Sequence, residues 1–125
     1  MVDVLHVEDD DCVRACLKVL LEGEGKSYAG TSTLSDFCAS MREDHARVYV
    51  LDGCFPMRHQ EGPRLLADRA CKEIRRVHSD AKIIVYSNHD NLLALAETLN
   101  VVGLSKSVYS ESAVVQRVLE LMGTD

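Results

Sequence analysis

The sequence is short of positive charge and of long apolar runs, and each shortage excludes a class of function. It has 14 lysines and arginines against 20 aspartates and glutamates, which gives a formal net charge of -6. Nucleic acids and anionic membrane surfaces attract basic proteins, so we expect no direct binding to either. No apolar run is as long as a membrane span, and the N-terminus lacks the basic start of a signal peptide. We therefore expect a cytoplasmic protein.

The cysteines do not form a pattern typical of disulfides or zinc. There are five of them: Cys12, Cys16, Cys38, Cys54 and Cys71. The number is odd and no CxxC pair occurs, whereas zinc sites and disulfide frameworks need paired cysteines at characteristic spacings. We interpret these residues as small apolar side chains in a reducing compartment.

Length and composition indicate one globular domain. The chain has 125 residues, of which 46% are hydrophobic and 27% are charged. Such a chain is large enough to bury a core and has the composition of an ordinary globular protein. We therefore treat residues 1–125 as a single domain.

Strand-like and helix-like segments alternate along the whole chain. The predicted strands are residues 2–7, 26–31, 48–52, 82–87 and 101–105. The segments with apolar residues at helical spacing are 13–21, 33–42, 63–77, 91–99 and 110–122. The third and fourth strands are continuously apolar, which is typical of a parallel sheet covered on both faces. Right-handed crossovers then predict an α/β fold, a doubly wound sheet of five parallel strands flanked by five helices.

Polar side chains follow the predicted strands. In doubly wound sheets the ligand site lies beyond the carboxyl ends of the strands, which here carry Glu8, Asp9, Asp52, Ser87 and Lys106. Converging carboxylates repel one another unless a cation lies between them, and hard oxygen ligands suit Mg²⁺. Mg²⁺, a lysine and a hydroxyl together neutralise a phosphoryl group, and a carboxylate is able to accept one. The residue types alone therefore indicate phosphoryl transfer to an aspartate.

The order of these motifs resembles that of response-regulator receiver domains in two-component signalling. LHVED resembles the first strand with its acidic pair, and VLDGCFP resembles the phosphoacceptor strand. IIVYS resembles the strand that ends in a hydroxyl, and LSK resembles the strand that ends in a lysine. Each motif is weak alone, but four in the right order over the whole chain are fairly specific. The resemblance implies a flavodoxin-like fold with strand order 2-1-3-4-5.

The resemblance also implies a role for each residue. Asp52 would accept the phosphoryl group, while Lys106 and Ser87 would hold the phosphoryl oxygens. The Mg²⁺ ligands would be Asp9, Asp52, the backbone carbonyl of Cys54 and, through water, Glu8. Receiver domains catalyse only their own phosphorylation and dephosphorylation, so no separate enzyme activity is expected.

Partners follow from the same resemblance. The phosphoryl donor would be a phosphohistidine on a sensor histidine kinase or on a histidine phosphotransfer protein. Small phosphodonors would also serve as donors. These residues include no output domain, so we expect the signal to pass through contacts with a downstream protein or with a second copy in a homodimer. The alternative is that the chain is a fragment of a longer regulator or of a hybrid kinase.

Four features depart from the receiver pattern. Gly103 occupies the position, three residues before the lysine, where receivers usually carry an aromatic side chain. Ser107 follows the lysine in place of a proline, and Asn88 follows the hydroxyl in place of a smaller residue. The segment after Pro56 is longer than usual and the fourth helix is shorter. We hypothesise that the long segment covers Asp52 or contacts a partner.

Other interpretations stay open for the site as a whole. A pseudo-receiver, which keeps the fold as a binding module without phosphorylation, is suggested by Gly103 and Ser107. The intact acidic cluster and Lys106 argue against it. A small phosphatase with an aspartyl intermediate usually needs a second aspartate two residues after the first, and here that residue is Cys54.

Single residues also have simpler interpretations. In the simpler interpretation Glu8 and Asp9 only cap the first helix and favour its positive end. His6 lies in the middle of the first strand, where a packed core histidine is expected. Tyr86 and Tyr109 are the candidates to replace the missing aromatic at position 103.

Overall fold

Strands and helices alternate along the chain, as the sequence predicts. The structure is a computed structural model and describes residues 1–89, 93–94 and 99–123. Its elements are β1 (Val2–Val7), α1 (Asp11–Gly23), β2 (Tyr28–Thr31), α2 (Leu34–Glu43), β3 (Ala46–Leu51), β4 (Cys54–Pro56), β5 (Pro63–Leu65), α3 (Ala67–Val77), β6 (Lys82–Ser87), β7 (Val102–Ser105) and α4 (Glu111–Met122). The helix predicted at 91–99 lies mostly outside the described residues. None of the described helices is both long and apolar enough to span a bilayer.

Five strands form one parallel sheet in the order β2-β1-β3-β6-β7. The short strands β4 and β5 form a separate hairpin, so this order is the predicted 2-1-3-4-5 of a flavodoxin-like, doubly wound sheet. The chain leaves β1 towards β2 on one side and returns to β3 on the other, which makes the ends of β1 and β3 the switch point. Val7 is opposite Leu51 in the ladder, so Glu8 and Asp52 leave the sheet side by side.

Capping side chains determine where three helices begin. Asp10, Thr33 and Ser110 each accept a hydrogen bond from a backbone N–H in the first turn of α1, α2 and α4. Such caps contribute about 1 kcal/mol each. At α1 the capping side chain is Asp10, which follows the acidic pair Glu8 and Asp9.

Apolar side chains cover the sheet on both faces. On one face α2 and α3 pack through Phe37, Met41 and Ile74, and on the other α1 and α4 pack through Leu17 and Val118. All five side chains are fully buried. Each contributes about 1.5–3 kcal/mol by leaving water, so the core holds the strand ends in fixed positions.

The third helix begins later than the predicted range of 63–77. Pro63–Leu65 instead forms β5, which pairs antiparallel with β4. The Leu66 N–H then donates to the Gly53 carbonyl at 3.1 Å, and this bond closes the hairpin before α3 starts. Val77 is the last residue of α3 and is 44% exposed.

The long segment between β4 and β5 lies against α2. The Ser35 N–H donates to the Met57 carbonyl at 3.0 Å. The His59 Nε2 lies 2.7 Å from a carboxylate oxygen of Asp36. These contacts are with α2, and coverage of Asp52 by this segment stays a prediction.

A fully buried histidine lies in the middle of β1, where a packed histidine is expected. The His6 Nδ1 lies 2.7 Å from the Tyr28 hydroxyl, while the buried Nε2 has no hydrogen-bond partner. The Tyr28 ring reaches His6 by passing over Gly30, where a Cβ would lie 2.7 Å from the tyrosine oxygen. Burial lowers the pKa of His6 to about 3, and the charges of Lys106 and Arg14 act in the same direction.

We predict that His6 makes the protein less stable as the pH falls below its unfolded pKa of 6.5. The unfolded histidine takes up a proton there, whereas the folded one stays neutral, so the free energy of unfolding falls by about 1.4 kcal/mol per pH unit. Urea unfolding of wild type and His6→Val at pH 7.5, 6.0 and 4.5 measures the effect. The wild type should lose about 2–3 kcal/mol more than the variant over this range. Equal losses would contradict the prediction.

Candidate functional site

Three carboxylates meet at the carboxyl ends of β1 and β3. Glu8 and Asp9 follow β1 and Asp52 follows β3, and one oxygen from each lies within 4.8 Å of the others. Glu8 is 1% exposed and Asp52 is 7% exposed, whereas Asp9 is open to solvent. The cluster is therefore closed on the side of Glu8 and accessible on the side of Asp9.

Lys106 supplies a positive charge to this cluster from the end of β7. Its Nζ lies 2.9 Å from a carboxylate oxygen of Glu8 and 3.1 Å from one of Asp52. Its backbone N–H donates to the Ser87 carbonyl at 3.0 Å and so extends the ladder of β6 and β7 past the last strand residue. The peptide bond to Ser107 is trans. One ammonium therefore faces three carboxyl groups, and it does not neutralise them when all three are ionised.

Burial and charge together determine the protonation of the cluster. Burial raises the pKa of Glu8, and the neighbouring Asp52 carboxylate raises it further, to about 8. Burial alone would lower the pKa of Lys106, but its hydrogen bond to Glu8 and the charge of Asp52 outweigh this effect and raise it. At neutral pH the lysine is therefore charged and Glu8 retains a proton. A divalent cation would displace that proton because it interacts with the ionised carboxylates.

Backbone groups orient the two buried carboxylates. An Asp52 oxygen accepts from the Gly53 N–H at 2.7 Å, and a Glu8 oxygen accepts from the Asp10 N–H at 3.3 Å. The Arg14 guanidinium, one turn into α1, donates to the Glu8 carbonyl at 2.5 Å. Each bond joins a strand end to the turn or helix that follows it, so the carboxylates are held in place by local chain geometry.

Ser87 ends β6, which pairs with β3, and Cys54 begins β4 two residues after Asp52. Ser87 is fully buried, and its hydroxyl accepts a hydrogen bond from the His89 N–H at 3.0 Å. Burial raises the pKa of the Cys54 thiol, and the nearby carboxylates of Asp52 and Asp9 raise it further. The thiol is therefore neutral. The metal-binding role of the Cys54 carbonyl stays a prediction.

Tyr86, one of the two candidates to replace the aromatic missing at position 103, contacts the cluster through Lys106. Its buried ring lies below Lys106, with the Nζ 5.6 Å from the ring centre. Its hydroxyl donates to the Tyr109 carbonyl at 2.8 Å, in the loop between β7 and α4. Gly103 provides no side chain on the adjacent strand. In the ladder Tyr86 lies opposite Leu104, two residues before Lys106, so strand alternation puts Tyr86 and Lys106 on the same face, whereas Gly103 lies opposite Val85.

Comparisons with known proteins identify the fold. No protein-family model matches the sequence, and no curated protein matches it either. Solved structures do match. A CheY-like response regulator receiver domain protein from Methanospirillum hungatei JF-1 is 16% identical and aligns over 98% of this chain and 94% of its own, with a TM-score of 0.79. This chain has the receiver-domain fold.

Two receiver structures with beryllofluoride in their descriptions are also similar. The BeF3-activated DrrB receiver domain is 16% identical, with 99% of each chain covered and a TM-score of 0.79. The beryllofluoride-activated NtrC4 receiver domain dimer is 21% identical, with 98% of this chain and 100% of that chain covered and a TM-score of 0.77. At these identities the likeness concerns the receiver fold, and the chemistry depends on this chain's own residues.

The predicted site residues are close together in this receiver fold. Glu8, Asp9, Asp52 and Lys106 form one cluster, and Ser87 ends the strand next to β3. The donors are carboxylate oxygens with an open side for water, which is the environment that Mg²⁺ prefers in proteins. The residues present therefore fit a magnesium ion.

We predict that the retained proton of Glu8 makes the metal-free protein less stable at high pH. A raised folded pKa contributes stability at low pH, and this contribution is lost as the pH rises through about 8. Urea unfolding in EDTA at pH 6, 7, 8 and 9 should show a loss of about 1–3 kcal/mol for the wild type. Glu8→Gln, which has the same shape and does not ionise, should show little of it. Parallel curves for the two proteins would contradict the assignment.

Proposed function

We propose that the chain is a phosphoacceptor receiver domain of a two-component system. In this proposal Asp52 accepts a phosphoryl group from a phosphohistidine donor in a Mg²⁺-dependent reaction. The observation that carries the proposal is the cluster of Glu8, Asp9 and Asp52 with the Lys106 ammonium 3.1 Å from Asp52. The receiver fold, which brings these residues to one end of the sheet, supports it.

Exposure and contact favour Asp52 over its neighbours as the acceptor. Glu8 contacts Lys106 but is enclosed at 1% exposure and retains a proton at neutral pH. Asp9 is open to solvent, and the ion pairs of Lys106 in the described residues are with Glu8 and Asp52. Asp52 contacts Lys106 and is 7% exposed, so it is the carboxylate of the three that combines access with a counter-charge.

The proposed step is an in-line displacement at phosphorus. A carboxylate oxygen of Asp52 forms an O–P bond while the bond from phosphorus to the imidazole nitrogen of the donor breaks, and its electron pair leaves with that nitrogen. Mg²⁺ held by Asp9, Asp52 and the Cys54 carbonyl, with Glu8 assisting through water, would neutralise charge on the phosphoryl oxygens.

The remaining groups bind the transferred phosphoryl group. Lys106 would exchange its contact with Asp52 for a contact with a phosphoryl oxygen, which requires only a small movement of a flexible side chain. The Ser87 oxygen accepts from the His89 N–H, so its own proton is left to donate to the phosphoryl group. Fixed donors of this kind stabilise the charge of the transition state.

The output of this receiver must differ from the usual one because Gly103 has no ring to move. We propose that Tyr86 transmits the displacement of Lys106 to the loop before α4, where Val108 is 73% exposed and Tyr109 is 44% exposed. A downstream protein or a second copy of the chain would contact this loop. NMR shifts at 108–109 on beryllofluoride binding should shrink in Tyr86→Phe, and unchanged shifts would contradict the role.

The phosphorylation test is the intact mass after incubation with Mg²⁺ and acetyl phosphate. We expect one phosphoryl adduct on the wild type and none on Asp52→Asn or in EDTA. Lys106→Met should slow adduct formation by about 100-fold, because it removes one charge from the transition state. Asp80→Asn removes an exposed carboxylate outside the cluster and should react as the wild type does.

The opposite result supports the pseudo-receiver. If the wild type forms no adduct, retains no beryllofluoride under native conditions and binds no Mg²⁺ at millimolar concentration, the acceptor role of Asp52 is wrong. The departures at Gly103 and Ser107 would then mark a binding module that phosphate does not control. An adduct that persists in Asp52→Asn would instead move the acceptor to another residue.

A further inference from the structure

The sheet edge formed by β2 has a groove on each face. β2 is the first strand of the sheet and pairs with β1. One groove, of about 330 Å³, lies between β2 and α1 and is lined by Arg14, Lys18 and Tyr28. The other, of about 450 Å³, lies between β2 and α2 and is lined by Asp36 and Glu43, among others. Both grooves meet at the exposed backbone of residue 30.

The backbone of two β2 residues faces away from β1. The carbonyls of Ser27 and Thr31 accept hydrogen bonds from N–H groups of β1 and of the residue after it, at 3.1 and 3.0 Å. Alternate residues of a strand direct their backbone groups to the same side, so Tyr28 and Gly30 present an N–H and a C=O outward. Such unpaired groups are a template for another strand.

β2 lacks the features that usually protect an edge strand. Proteins block free edges with charged side chains, prolines or bulges. β2 reads Tyr-Ala-Gly-Thr and pairs with β1 in a regular register over all four residues. The Tyr28 ring is held against the sheet by its 2.7 Å contact with His6 and passes over Gly30, where no side chain projects. The edge is therefore both accessible and pre-ordered.

We propose that β2 binds an extended segment of a partner protein as an added strand, with a lysine or arginine directed towards α2. Side chains of such a strand enter the two grooves alternately, while its backbone bonds to Tyr28 and Gly30. Asp36 and Glu43 outnumber Arg14 in the lining of the α2 groove, which therefore carries a net negative charge. In the α1 groove the Tyr28 ring forms an apolar wall beside the charged Asp11, Arg14 and Lys18, and this wall suits a valine or an aromatic side chain.

Charge disfavours a second copy of this chain as the occupant. Two β2 strands paired about a two-fold axis would place α2 beside α2, with Asp36 of one copy near Glu43 of the other. Like charges at such an interface oppose pairing, and each chain already carries a net charge of -6. A basic partner segment meets neither obstacle.

Arg14 connects the β2 edge to the acidic cluster. Arg14 borders both grooves, and its guanidinium donates to the Glu8 carbonyl. A bound strand would therefore contact the residue that holds Glu8. The binding surface itself does not depend on phosphorylation, so it can be tested whether or not Asp52 accepts a phosphoryl group.

The test uses a phage-displayed library of random heptapeptides selected on the intact chain. We expect the retained peptides to carry lysine or arginine at alternate positions. In ¹⁵N NMR titrations with these peptides, amide exchange at Tyr28 and Gly30 should slow at least tenfold. Glu43→Lys should weaken binding at least tenfold, whereas Asp80→Lys, the same charge change at an exposed loop, should change it less than twofold.

Peptide chemistry separates strand addition from simple charge attraction. Methylation of the backbone nitrogens that face β2 should abolish binding, while methylation of the alternate nitrogens should leave it. The proposal is overturned if no peptide is enriched, if the retained peptides perturb another surface, or if Asp80→Lys weakens binding as much as Glu43→Lys does. Self-association that involves the amides of Tyr28 and Gly30 would instead assign the edge to a second copy.

Discussion

The ammonium of Lys106 between Glu8 and Asp52 is the interaction on which the polar end of the molecule depends. It joins the end of β7 to residues 98 and 54 positions away in sequence, at the ends of β1 and β3. Glu8 and Asp52 repel each other when both are ionised, and removal of a buried charge partner costs about 3–5 kcal/mol. The lysine therefore makes the acidic cluster compatible with a folded sheet.

The apolar layers make this arrangement possible. Buried side chains of four helices hold the strands in register, and the register alone determines which carboxylates meet. Burial of the cluster costs free energy, because it removes water from the Lys106 ammonium and raises the pKa of Glu8. The apolar body of the sheet therefore stabilises the fold, whereas the charged and titratable groups lie at its carboxyl end. This division is typical of functional sites that evolve against stability.

Much of the sheet and most of the cluster can be predicted from the sequence. Continuous apolar strands that end in Asp52 and Ser87 identify a parallel sheet, and the topology of such sheets brings their ends together. The protonation of Glu8 cannot be predicted in this way, because it depends on how fully the fold encloses the side chain. The contact of Tyr86 with Lys106 likewise depends on the register of β6 and β7, which brings Tyr86 opposite Leu104 and which only the folded structure defines.

The hairpin shows where local pattern misleads. Residues 63–66 contain apolar residues at a spacing that suits a helix, and a proline is common at a helix start. The bond between the Leu66 N–H and the Gly53 carbonyl competes with that tendency and closes the chain into β4 and β5. A pairing of three residues has too little pattern of its own to be recognised. Likewise, the contact of His59 with Asp36 joins a loop to a helix 23 residues away, and no local sequence pattern predicts it.

That hairpin also determines where the chain can change in length. The Phe55 side chain is fully buried, and the Gly53–Leu66 bond ties the base together, so the base is part of the core. Residues 57–62 form the tip of the hairpin, outside the part closed by this bond, and contact α2. Insertions or replacements at the tip need not move Asp52, because the hydrogen-bonded base of the hairpin keeps its position when the tip changes in length. The hairpin therefore gives the protein a place to acquire new recognition loops while its chemistry stays constant.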